Sequence, residues 1–251
     1  PAFLKVSALA ANSSNNTLFA DDKGNVALLL PQFVPKRNDR FDYTRPVDGS
    51  DPTADWSGET ALDALPSVIN PRNGWVYNSN DGPWWAAGAN SPVKSAFPRY
   101  VDTVGANART PHALRVLDGH TGFSQQGLID AAYDPYLPTF AALIPDLVAA
   151  YDALPSSDPR KAKLADPIAA LRGWDFKWSA TSVPTAVAVN WGEIAWAKFT
   201  PDAQAPEATV QQAIAGLATT QKVAALEEAV EKLKRDFGRW DVQWGEINRF
   251  Q

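Results

Sequence analysis

Two histidines, a handful of loop-borne aspartates, three early serines and a run of asparagines are the side chains of this sequence with chemistry to offer. His112 and His120 stand in sequence that reads as loop, eight residues apart, whereas a helical pair of metal ligands needs a spacing of three or four. Lone loop histidines are more often surface or capping residues than bases. Asp21, Asp22, Asp51, Asp55 and Asp81 are carboxylates that the sequence alone does not pair. Ser7, Ser13 and Ser14 have no terminal amine to activate them as nucleophiles. Cysteine is absent, which excludes disulfides, thiolate catalysis and thiolate metal sites. No phosphate loop, dinucleotide fingerprint or Gly-x-Ser-x-Gly elbow occurs. Pro1 carries a secondary amine that can act as a base near neutral pH, given a pocket around it. The run Ala2-Phe3-Leu4 that follows fits a strand beginning mid-fold. On residue type alone Asn12, Asn15 and Asn16 read as turn caps.

These side chains need a scaffold, and the composition allows one. A chain of 251 residues, 45% hydrophobic, can build one large core or one lobe of a bigger body. A net charge of -5 with scattered basic residues argues against nucleic acid as a partner, since a phosphate-binding surface needs clustered Lys and Arg. No apolar run approaches the roughly 20 residues that cross a bilayer, and no signal peptide is visible. Methionine is absent and residue 1 is proline, so the chain reads as a processed or trimmed polypeptide.

Along the chain the pattern changes twice. Thr17-Leu18-Phe19-Ala20 and residues 26–30 are apolar runs around Asp21-Asp22-Lys23-Gly24-Asn25, which predicts two strands joined by a turn longer than the tight two-residue type. From Pro31 to Pro111 no helical period persists. Disordered segments are poor in aromatics, yet this one holds Phe41, Tyr43, Trp56, Trp75, Tyr77, Trp84, Trp85 and Phe97. It reads as long ordered loops pinned by aromatic anchors, and loops of such length are often functional. Beyond it the chain turns helical. Helices are predicted from a capping Ser124 to Tyr133, over 137–154 with Pro145 as a kink or a new start, and over 158–174 with Pro159 in the first turn. Two more are predicted over 183–198 and over 210–237, the last with an apolar stripe of Val223, Leu226, Val230, Leu233 and Phe237.

Four stretches carry a resemblance. Asn16-Thr17-Leu18-Phe19-Ala20-Asp21-Asp22-Lys23-Gly24-Asn25 resembles the Asn-x-x-x-Ala-Asp-x-x-Gly-Asn motif of the penicillin acylase β-subunit, an N-terminal-nucleophile hydrolase. Pro35-Lys36-Arg37 is similar to that family's Pro-x-Arg. Asn70-Pro71-Arg72-Asn73-Gly74-Trp75-Val76-Tyr77-Asn78-Ser79-Asn80-Asp81 resembles its Asn-Pro…Gly-aromatic…Asn-x-Asn segment. With Trp84 close behind, this version looks nearest the acyl-homoserine lactone and aculeacin acylases. Trp244-Gly245-Glu246-Ile247-Asn248-Arg249 is similar to a Trp-Gly-acid-x-(Asn/His)-Arg signature near the same subunit's C-terminal portion. Each match alone is weak; four in family order across nearly the whole chain are not.

The resemblance implies an α+β fold that forms part of a four-layer αββα core. Residues 1–110 would be its strand-and-loop portion and 111–251 a mainly helical portion of the same β-subunit. It implies that the Asn16 amide helps form an oxyanion hole and that Arg37 supports the active site. Asp21 and Asn25 would hold the turn that positions Asn16. Trp75, Trp84 and Trp85 would line an acyl-chain pocket, or else anchor the loops. No cofactor is implied; calcium occurs in parts of the family, but its ligands do not map here. The family's nucleophile is a serine at the very N-terminus of the mature β-subunit, far upstream of the asparagine motif, and residue 1 here is proline. The implied object is an internal piece of a β-subunit, cut or separately encoded. Its partners would be the remaining segments of the acylase, including the one with the terminal serine, and a small acyl amide, in the periplasm or outside the cell. Two other readings stay open: an aromatic-rich binding module for carbohydrate or peptide, and a tautomerase-like enzyme built on Pro1.

Overall fold

The computed structural model describes residues 2–11, 15–199 and 207–249. The reading of Pro1 as a base, and those of Asn12, Ser13 and Ser14, lie outside the described residues. The chain divides after Ala132 into two compact units.

The first unit is built around a small antiparallel sheet. Helix α1 (Ala2–Ser7) precedes strands β1 (Thr17–Ala20) and β2 (Val26–Leu29), with β3 (Val68–Ile69) on the far side of β2. Helix, not the expected strand, forms at Ala2-Phe3-Leu4. Phe3 stacks on Phe19 at 4.3 Å between centroids, so one turn of helix covers part of β1 where a strand would have projected alternate side chains away from it. Thr17 pairs with Leu29 and Ala20 with Val26. The connecting turn closes as the Asp/Gly/Asn cluster requires. Asp21 Oδ1 accepts from the amides of Lys23 and Asn25, Asn25 Nδ2 donates to Asp21 Oδ2 at 2.7 Å, and Gly24 takes a φ of 79°, which side chains other than glycine adopt at a cost.

From residue 31 to 108 the backbone runs through loops with short 3₁₀ turns and β3, as the aromatic-rich stretch predicts. Residues 34–36 pair with 57–60 as a narrow ribbon: Thr60 N donates to Val34 O, Lys36 N to Gly58 O and Ser57 N to Lys36 O. Under it Leu28, Leu30, Leu65, Val68, Ala86 and Ala87 form a buried cluster. The change from loop to helix comes at α2 (Arg109–Leu117), which takes in His112 and so removes it from the loop where the sequence placed it. Helix α3 (Gln125–Ala132) begins as predicted, with Gly127 N donating to Ser124 Oγ at 3.0 Å. Both helices belong to the first unit.

The second unit is helical. Its members are α4 (Pro138–Asp152), α5 (Pro159–Lys163), α6 (Ala165–Arg172), α7 (Val183–Phe199), α8 (Glu207–Ala215), α9 (Thr219–Phe237) and α10 (Trp244–Ile247). Pro145 sits inside a continuous α4. The single helix expected over 158–174 is two, α5 and α6, and the one over 210–237 is also two, α8 and α9. Gly216-Leu217-Ala218 breaks the latter, because glycine is the weakest helix former after proline. Helix α7 is mainly apolar and packs at the centre, with Ala186, Val187, Ala188, Trp191 and Ala195 fully enclosed and Glu193 and Lys198 left exposed. The Trp191 indole donates to Lys222 O at 3.1 Å, so its one polar atom is satisfied. Val223, Leu226, Val230 and Leu233 of α9 are fully buried against this core, whereas Phe237 remains 42% exposed at the helix end.

The Trp-Gly-Glu stretch closes this unit. Trp244 N donates to Ser182 O at 3.0 Å and Gly245 N to Ala180 O at 2.8 Å. A side chain at 245 would stand 2.9 Å from both Cβ and O of Ala180. Gly245→Ala is therefore expected to destabilise the chain by about 1–3 kcal/mol through overpacking, measured by denaturant unfolding. A change below about 0.5 kcal/mol, the range of a neutral surface substitution, would contradict this account of the signature.

Candidate functional site

Asn16 immediately precedes β1, so strand pairing fixes where its side chain begins. It is half-buried, and Gln32 Nε2 donates to its Oδ1 at 2.7 Å. Among the described residues its Nδ2 has no hydrogen-bond partner, which leaves that nitrogen as a donor. Gln32 was not singled out in the sequence. A glutamine between Pro31 and Phe33 carries no local signal, and the contact spans sixteen positions.

Arg37 ends the ribbon formed by residues 34–36 and 57–60. Its guanidinium lies over Tyr43, 4.8 Å from the ring centroid, and over Trp56, at 5.5 Å. Each such contact at an exposed site is worth about 0.5–1 kcal/mol. The guanidinium makes no salt bridge among the described residues. The aromatic faces hold the group while its N–H edge keeps its hydrogen-bonding capacity. No hydrogen bond or ring contact among the described residues joins Arg37 to Asn16.

The two most distinctive motifs meet in space. Asn70 Oδ1 accepts from Val26 N and its Nδ2 donates to Asn25 Oδ1, both at 2.9 Å, while Asn70 N donates to Val26 O at the same distance. Asn70 adopts φ 48° to make these contacts, a conformation that asparagine tolerates better than most residues. The Asp21–Asn25 turn is thereby bolted to the Asn70-Pro71 segment.

That segment continues into a second buried node. Asp81, 3% exposed, accepts at Oδ2 from Tyr77 Oη at 2.9 Å and from Thr110 Oγ1 at 2.6 Å. Its Oδ1 accepts from Ser79 N at 3.1 Å, and Asn78 Nδ2 donates to its backbone oxygen. Burial and the adjacent carboxylate push the Tyr77 hydroxyl well above its usual range, so it stays a donor. Asn107 Nδ2 donates to Ser79 O, and Asn80 Oδ1 accepts from the Arg109 guanidinium. The Asn78-Ser79-Asn80-Asp81 loop is thus pinned to the start of α2.

The three tryptophans separate. Trp75 is buried beside Tyr77 and lines a cavity of about 760 Å³ with Leu18, Phe19, Val26, His120 and Phe123. Trp84 is half-buried against Phe97 and below Lys94, in a spot that only glycine at 82 allows, since a Cβ there would lie 2.7 Å from its ring. Trp85 is half-buried as well, and neither it nor Trp84 lines the cavity that Trp75 faces. Among the described residues no group of three or more His, Asp or Glu side chains is arranged to hold a metal ion.

A sequence model of the penicillin amidase family matches residues 2–251. The chain belongs to that family. Its fold is similar to that of a thermostable penicillin G acylase from Alcaligenes faecalis, with a TM-score of 0.58 at 20% identity, over 89% of this chain and 47% of that one. The likeness bears out the α+β expectation: helices and a small sheet in the N-terminal-nucleophile hydrolase arrangement. This penicillin amidase family member spans about half the length of the solved acylase chain it matches.

Two outcomes follow from the geometry. Asp81→Ala strands the buried hydroxyls of Tyr77 and Thr110 and is expected to cost about 3 kcal/mol of stability; a loss under about 1 kcal/mol, the net worth of one ordinary hydrogen bond, would contradict the node. The Asp21 carboxyl is held below the usual carboxylate range, first by the Asn25 side chain and then by backbone amides. Its folded pKa is depressed, so the turn's contribution is present above the ordinary value and lost as the pH falls through the lowered one. Asp21→Asn should flatten that acid limb in a stability-versus-pH series; an unchanged limb would contradict it.

Proposed function

We propose that this chain is the oxyanion-side portion of an N-acyl amide hydrolase whose N-terminal serine nucleophile lies on another segment. In the assembled enzyme that serine's hydroxyl adds to the amide carbonyl while its own α-amine takes the proton. Negative charge then collects on the carbonyl oxygen, and a fixed N–H donor directed there stabilises the transition state more than the ground state. The observation that carries this reading is the state of Asn16: anchored by its oxygen to Gln32, with Nδ2 left as a donor. A carboxamide suits the task because it donates without titrating. Arg37, in contact with the Tyr43 and Trp56 rings and without a carboxylate partner among the described residues, would hold a positive charge at the site.

The membership of the penicillin amidase family and the acylase-like fold support an acylase or amidase. The need for a companion segment is supported by the sheet: among the described residues β1 is an edge strand, and Leu18 and Ile69 are 50% and 52% exposed on it and on β3. Apolar surface next to unpaired strand edges is the kind that another segment covers. We place substrates among small acyl amides, with Trp75 beside the cavity as an acyl-contacting residue, in the branch of the acyl-homoserine lactone acylases and in the periplasm or outside the cell. The binding-module alternative requires tryptophans open to a ligand. Trp56 and Trp178 are 67% and 47% exposed but belong to different units, and Trp56 is engaged with Arg37, while Trp75 is buried and Trp84 and Trp85 are half-buried, so the hydrolase is the better supported reading.

In the complete enzyme, Asn16→Ala is expected to lower kcat by about a hundredfold to a thousandfold with the unfolding midpoint unchanged. Near-normal turnover on a panel of acyl amides that the native enzyme hydrolyses would refute the assignment.

A further inference from the structure

Gln32 touches the side chain that the proposed function makes the oxyanion donor, and beyond anchoring that side chain's oxygen it has been given no role of its own. An asparagine carboxamide is nearly symmetric in shape and opposite in polarity at its two ends. Rotated by half a turn, it would aim a carbonyl oxygen where its N–H₂ had pointed, and the developing anion would meet lone pairs. Something has to choose the orientation. The partner at 2.7 Å does so by donating: Gln32 Nε2 to Asn16 Oδ1. Accepting that bond holds the oxygen toward Gln32 and turns Nδ2 away from it.

The backbone of Gln32 is itself well held. Its N–H donates to Leu30 O at 2.8 Å and its carbonyl accepts from Val34 N at 3.0 Å. Leu30 is 3% exposed in the buried cluster of the first unit, and Val34 packs against the same cluster. Two core-anchored neighbours therefore fix the backbone from which the glutamine reaches. On the other side, Asn16 directly precedes the strand residue paired with Leu29. Both ends of the amide–amide contact are tied to the same β1–β2 pair.

We infer that Gln32 is a positioning residue that sets the polarity of the Asn16 carboxamide, holding its nitrogen toward the oxyanion. The inference rests on the oxyanion reading of Asn16. Gln32→Glu tests it, because the variant has nearly the same shape and accepts where glutamine donates. A glutamate at 32 draws Nδ2 to itself and leaves Oδ1 facing the anion. Gln32→Met removes the donor without rewarding the wrong orientation.

In the complete enzyme, Gln32→Glu is expected to lower kcat about a hundredfold, comparable to loss of an oxyanion donor. KM should change less than about twofold, since the interaction is made in the transition state only. Gln32→Met should lower kcat about tenfold, a smaller loss of the same donor's effect. In an Asn16→Ala background, Gln32→Glu should change kcat no further, which a merely structural role would not produce. The inference is overturned if Asn16→Ala is crippled while both Gln32 variants keep native kcat. It is equally overturned if the Gln32→Glu loss persists in full without Asn16, or if neither variant folds while Asn16→Ala with Gln32→Met does not fold either. Native turnover in Asn16→Ala alone would instead defeat the oxyanion reading itself, so the two failures are distinguishable.

Discussion

A neutral amide that is to stabilise an anion must show its nitrogen, and the two ends of a carboxamide differ in little besides charge. On the proposed role of Asn16, the contacts around it in the first unit answer to that constraint. Asn16 carries no charge to orient it in the protein field. Its direction depends on which end is already occupied, and Gln32 occupies the oxygen. The β1–β2 pairing sets the distance across which the two amides meet, and the hydrogen-bonded turn at Asp21–Asn25 sets that pairing. Asn70 then ties the turn to the loop that follows β3. Polar side chains thus act as rivets on a sheet too small to be stable by itself.

In the role proposed for it, Arg37 would meet a similar demand by different means. A cation required for its charge should not spend it on a neighbouring carboxylate. The ribbon of residues 34–36 and 57–60 brings Trp56 within reach of the guanidinium, and Tyr43 is a second ring against it. Quadrupole attraction restrains the guanidinium without neutralising it. The contrast with Arg160 is instructive. There two hydrogen bonds to Asp158 satisfy the group and lower that carboxyl to about 2. Such a pair caps a helix and offers nothing to a ligand.

The second unit is of another kind. Its stability is that of helices packed on an apolar central helix, with Trp191, Leu226, Val230 and Leu233 fully enclosed. The Trp-Gly-Glu stretch belongs to this packing: its backbone amides dock on residues 180 and 182, and glycine at 245 permits the approach. A stretch that resembles a family signature therefore has a sufficient structural reason for its glycine. The same holds for Asp81, whose acceptor sites are taken up by Tyr77, Thr110 and Ser79.

What the sequence by itself determined was local. The Asp21-Asp22-Lys23-Gly24-Asn25 turn, the β1–β2 hairpin, the Ser124 cap and the buried face of α9 follow from the spacing of apolar residues and from side chains bonding to backbone nearby. Motif order across the chain was also enough to point to the family. Where local preference was weak, tertiary contacts decided. Residues 2–7 form a helix whose Phe3 stacks on Phe19, a contact the local sequence does not announce. The joining of Asn25 to Asn70, of Asp81 to Thr110 and of Asn16 to Gln32 was invisible beforehand. Each is a hydrogen bond between residues far apart in the chain, and its polarity depends on which atom the fold brings nearest. Residue types state what a side chain can donate or accept; only the folded backbone selects the partner.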